Sequence, residues 1–75
     1  MLKLLSIKPL ETYKLNVRFE DGKEKTCDMS EFLEKGAFVE LKDEALFKQV
    51  KNTGFSAEWP NELDISADTL LAIGK

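Results

Sequence analysis

The residues with the most chemical reach crowd into "EWPNELDIS", residues 58–66. The only tryptophan, Trp59, stands there beside Pro60 and Asn61, with Glu58, Glu62 and Asp64 around it and Asp68 just beyond. Four carboxylates about one aromatic can do two things. They can draw in a cation, or they can meet a basic protein surface anchored by the ring edge. For a metal the set is poor: Glu62, Asp64 and Asp68 lack the spacing of a dedicated Ca²⁺ loop, so incidental binding is the most they allow. The candidate protein-contact patch is therefore Glu58, Trp59, Asn61, Glu62, Asp64 and Asp68. Two plainer readings stand beside it. Trp59 falls in phase with Phe55 and Ala57 and fits a core position, its indole N–H then needing a partner inside. Asn61 after Pro60 fits turn chemistry.

Other chemistry is scarce. The chain has no histidine, which removes the commonest general base and the commonest metal ligand together. Cys27, the single cysteine, falls mid-strand on an apolar face and reads as inert core rather than nucleophile. No glycine-rich phosphate loop occurs. The expectation is a non-enzyme without metal or cofactor.

Charge narrows the partner. Up to residue 51 the sequence carries ten Lys/Arg and ten Asp/Glu. Between residues 52 and 74 the charges are Glu58, Glu62, Asp64 and Asp68 alone, so the net charge of −3 arises at that end, with Lys75 offsetting one unit. Such a surface repels phosphates and argues against direct nucleic-acid binding. A basic protein is the partner it fits, and a merely solvated acidic face is the plain alternative.

The elements that must position these residues are legible in part. Seventy-five residues make one domain, 1–75, near the lower size limit for folding alone. No run approaches a membrane span or a secretory leader, and a lone thiol suits a reducing cytoplasm. Residues 2–8 read as a first strand, apolar on both faces and ended by Pro9. In "YKLNVRFE", Tyr13, Leu15, Val17 and Phe19 alternate with Lys14, Asn16, Arg18 and Glu20, which is a half-buried strand with a polar outer face. A two-residue Asp21-Gly22 turn would put Glu24 and Asp28 into the core. A three-residue loop, Glu20-Asp21 as a type I turn and Gly22 left-handed, instead pairs Leu15 with Cys27 and Tyr13 with Met29. The apolar pattern selects the second, and it leaves Lys25 on the Val17 side with its stem over apolar surface.

Beyond the hairpin, Ser30 is expected to cap a turn "EFLEK" stopped by Gly36, followed by an extended piece through Phe38, Val39 and Leu41. Asp43 caps "EALFKQV", whose inner face is Leu46, Phe47 and Val50. Asn52 to Gly54 turns the chain into "FSAEW", with Phe55, Ala57 and Trp59 on one face. Leu63 and Ile65 then point inward, Ser66 caps "ADTLLAI", Ile65 and Leu70 form a hydrophobic staple, and Gly74 ends the helix. "DMS" and "DIS" echo each other as strand ends feeding serine caps. The class is α+β: a small, mostly antiparallel β-sheet with two or three short helices.

Three stretches in order, "IKPLETYKLNVRFEDG", "DMSEFLEKGAFVELKDEALF" and "WPNELDISADTL", resemble the motifs of the bacterial domain-of-unknown-function family 2442 over about residues 7–71. Glu62 stands where that family usually has glycine. The resemblance implies an α+β domain without a settled activity. It also implies two contexts, one in which relatives are fused to a helix-turn-helix domain and one in which they are encoded beside a second small protein. The leading expectation is a protein-binding module, the neutralising or regulatory member of a toxin–antitoxin-like pair. The alternative is a sensory or dimerisation accessory domain, a homodimer pairing through the first strand.

Overall fold

Leu15, Val17 and Phe19 are buried while Arg18 between them is exposed, so the period-two pattern of the second strand translates directly into one inner and one outer face. The computed structural model describes residues 2–75. Strands β1 (Leu4–Leu10), β2 (Lys14–Phe19) and β3 (Glu24–Asp28) form one antiparallel sheet in the order β1-β2-β3. Leu15 lies opposite Cys27 and Val17 opposite Lys25. The β2–β3 loop closed by Phe19 and Lys23 has three residues, 20–22: Gly22 N–H donates to the Phe19 carbonyl (3.0 Å) and Phe19 N–H to the Lys23 carbonyl (2.8 Å). Gly22 takes φ +92°, where a side chain would be strained. The expected register is therefore the one adopted, down to the Met29 N–H donating to the Tyr13 carbonyl at 2.9 Å.

Pro9 does not end β1, which continues to Leu10. Pro9 sits opposite Leu15 on a strand whose other side is an edge here, so its missing N–H costs the ladder nothing. Between the pairs Leu4–Phe19 and Ser6–Arg18, β1 carries one extra residue, Leu5. This bulge shifts the phase so that both Leu4 and Ile7 can face inward, and it turns Leu5 out to 57% exposure.

A second antiparallel sheet, rather than a continuation of the first, follows in the order β4-β5-β6: Lys51–Asn52, Ser56–Glu58 and Asp64–Ser66. The two are stitched where Leu4 N–H donates to the Gly54 carbonyl (2.7 Å) and the Asn52 side-chain amide to the Leu4 carbonyl (3.0 Å). Strand β4 has two exposed residues and no alternation, which is why nothing in its sequence announces it. Phe55 lies in the bend before β5, outside the strand's alternation, and is 48% exposed instead of sharing the inner face of Ala57 and Trp59.

Between the sheets the chain is helical. A 3₁₀ turn spans Phe32–Glu34 and a 3₁₀ helix spans Gly36–Lys42, then comes α1 (Glu44–Phe47). Two expectations fail here. Ser30 caps nothing: its N–H and hydroxyl both donate to Asp28 Oδ1, at 3.0 and 2.7 Å, closing a turn on the strand end instead. Residues 38–41 are not extended. Three-residue spacing buries Leu41 and half-buries Phe38, which packs edge-on against Phe32 at 6.1 Å.

The caps predicted farther on are present. Asp43 accepts from Ala45 N–H at 3.0 Å, and Ser66 accepts from Thr69 N–H at 3.3 Å at the start of α2 (Ala67–Ile73). Gly74 does end α2, but with φ −70°; a Cβ there would lie 2.7 Å from Lys25 Cβ. Close approach, not a left-handed turn, calls for glycine. One core gathers residues from every part: Leu4, Phe19 and Met29 from the first sheet, Leu41 and Phe47 from the helical segment, Ala57, Ile65 and Leu70 from the rest.

Candidate functional site

The stretch "WPNEL" folds as a second copy of the β2–β3 loop. Glu62 N–H donates to the Trp59 carbonyl (3.0 Å) and Trp59 N–H to the Leu63 carbonyl (2.9 Å), the same pair of bonds that Gly22 and Phe19 make. The side chain at the middle loop position is an acceptor in both: Asp21 Oδ1 for Lys23 N–H at 3.1 Å, Asn61 Oδ1 for Leu63 N–H at 3.4 Å. The third position is left-handed in both. Glycine fills it at 22, and Glu62 fills it at φ +71°. Glu62 thus occupies a conformation that costs a side-chain-bearing residue about 1–2 kcal/mol.

This hairpin sets the carboxylates. Glu58 on β5 and Asp64 on β6 are directly opposite and both exposed, a like-charge cross-strand pair that disfavours the ladder. Glu62 is exposed at the corner between them. Asn61 reaches back through its amide to Glu40 Oε2 at 2.8 Å, bringing a further acid from the 3₁₀ helix to the same end. Lys51 on β4 is opposite Glu58 without forming an ion pair. A shallow recess of about 320 Å³ lies here, lined by Lys51, Glu58, Trp59, Pro60 and Glu62.

Trp59 is only 2% exposed, and its indole N–H donates to the Phe47 carbonyl at 2.9 Å. Its ring tilts on Phe47 at 6.1 Å between centroids. It supports the loop from behind and belongs to the core, so the ring edge is not part of a surface contact. Asp68 is also separate, in the first turn of α2 beyond the other end of β6. Of the six residues the sequence marks, the structure gathers Glu58, Asn61, Glu62 and Asp64 at the hairpin tip and adds Glu40 and Lys51. No local signal could have found Glu40, because only the folded Asn61 contact brings it there. Among the described residues no three acidic or cysteine side chains converge as metal ligands.

Cys27 lies in the core with its thiol donating to the Leu70 carbonyl at 3.3 Å. Burial pushes that thiol up from 9.0 to about 11, against the pull of Lys25. At neutral pH it is protonated and unreactive. Asp28 shifts the other way: the Ser30 N–H and hydroxyl hold its carboxyl below the usual value.

A family model described as "Protein of unknown function (DUF2442)" matches residues 4–75. No curated protein and no solved structure matches. Among the described residues no helix is long and apolar enough to cross a membrane.

Proposed function

The chain belongs to the DUF2442 family of proteins of unknown function, and from that premise we propose that it is a protein-binding module whose contact surface is the acidic β5–β6 hairpin tip. The supporting observation is the directly opposed Glu58–Asp64 pair. Two like charges held face to face weaken their own hairpin, and a lysine or arginine placed between them relieves the repulsion while forming charge-assisted bonds. Glu62 at the corner and Glu40 behind Asn61 extend the same field. A small basic protein is the partner this surface fits. In the cell, the chain acts as the neutralising or regulatory member of a two-gene pair, in a reducing cytoplasm that suits its lone buried thiol.

Co-purification at native expression tests this. The intact protein is expected to retain a small basic partner, and the Glu58→Gln/Asp64→Asn double variant to lose it, with binding that weakens as salt rises. Self-association alone, or a partner retained equally by both forms, would sink the reading.

A further inference from the structure

A larger cleft lies on a different face, about 830 Å³, between the β1–β2 loop, the end of β3 and α1. That volume falls within the range of about 300–1,000 Å³ common to small-molecule sites. Its apolar part is Leu10 and Tyr13, with the Tyr13 ring edge-on at 5.4 Å against the buried Phe47 behind it. Its charges are mixed: Lys14 and Lys48 against Glu11, Asp28 and Glu44. None of these five is in an ion pair; among the described residues the only pairs are Lys23–Asp21 and Lys42–Glu34.

Lys14 and Asp28 are opposite each other on neighbouring strands, with Leu10 opposite Lys14 on the far side. The row Leu10–Lys14–Asp28 therefore runs along one outer face of the sheet. It sets one cation, one anion and one apolar side chain side by side, each about 5 Å from the next. Asp28 is pinned, since Ser30 occupies its Oδ1 twice and leaves Oδ2 for another donor.

The wall is equally fixed. Thr12 and Tyr13 both adopt left-handed backbone, φ 59° and 58°, in a loop without glycine. For a β-branched residue this is a genuine outlier. Tyr13 is locked by its carbonyl to Met29 N–H and by its hydroxyl to the Lys42 carbonyl. Strain maintained by such over-determination at the rim of a cleft is characteristic of a pre-organised binding wall.

We propose that this cleft binds a small zwitterion with an apolar side chain, an amino acid, its ammonium on Asp28, its carboxylate on Lys14 and its side chain against Leu10 and Tyr13. The ammonium and carboxylate of an α-amino acid are close neighbours, as Asp28 and Lys14 are. A ligand carrying only one charge would leave the other member of that row unanswered. This site is independent of the acidic hairpin tip, and either can fail without the other.

The test is backbone-amide NMR titration of the intact protein with L-leucine, L-phenylalanine, and the amide and N-acetyl forms of each. The free amino acids are expected to shift the amides of Thr12, Tyr13, Lys14 and Ser30. Removing either ligand charge, or introducing Lys14→Gln or Asp28→Asn, should weaken binding by about tenfold or more. Asp28→Asn retains the oxygen that Ser30 needs, so the strand end stays intact. The Glu58→Gln variant should bind as the unaltered protein does. No shift at millimolar ligand, shifts centred elsewhere, or equal response to the capped forms would overturn the proposal.

Discussion

Glu62 is the one position at which the chain works visibly against its own backbone in the second hairpin. The matching position of the first hairpin has glycine, and the two loops share their hydrogen bonds. Glu62→Gly should therefore stabilise the protein by about 1 kcal/mol, read as a higher denaturant midpoint at unchanged slope. An unchanged or lower midpoint would mean that the left-handed strain is compensated by contacts of the carboxylate. Cys27 makes a prediction of the opposite kind. Its thiol ionises near 9.0 in the unfolded chain and near 11 when folded, so the unfolded state loses its proton first as pH rises. Stability from this group is intact below 9.0 and falls progressively toward 11. Comparing Cys27→Ala with the parent by denaturation across that window isolates the thiol, because the parent should lose stability faster.

At the level of elements, legibility followed the strength of local periodicity. The β2–β3 hairpin, its three-residue loop and the caps at Asp43 and Ser66 could be read because apolar alternation and capping chemistry act over a few residues. Ser30 misled because Asp28 two residues earlier offers its carboxylate to the same N–H, and the strand-end turn wins. Residues 38–41 misled because three apolar residues in four fit a short strand and a 3₁₀ helix equally well. The true internal echo, between the loops at Gly22 and Glu62, was hidden because a glycine and a glutamate share one conformation. At the hairpin tip, Glu58, Asn61, Glu62 and Asp64 were legible as neighbours in sequence, whereas Glu40 and Lys51 required the fold. The end of α2 gives an element-scale prediction. Gly74→Ala places a methyl 2.7 Å from Lys25 Cβ and 3.0 Å from the Leu70 carbonyl, so α2 must move off β3. A loss of about 1–3 kcal/mol is expected from this overpacking, measured by thermal or denaturant unfolding. A neutral outcome would show that α2 shifts freely.

Across the whole molecule, two small sheets share one interior, and neither could hold it alone. Thr26 and Lys75 exchange both backbone hydrogen bonds, at 3.1 and 3.0 Å, tying the last residue to the β3 edge. Leu4 and Gly54 bind the sheets at another point. Unfolding should therefore be a single event, with calorimetric and van't Hoff enthalpies equal. Two resolved transitions would show that the sheets melt separately. The bond from the Trp59 indole to the Phe47 carbonyl has a further consequence. Phe47 borders the large cleft on one side and supports Trp59 on the other, and Trp59 flanks the hairpin corner. The sole indole should thus serve as a built-in optical gauge: its emission colour and intensity are expected to answer to events on either face of the molecule, with no dye attached.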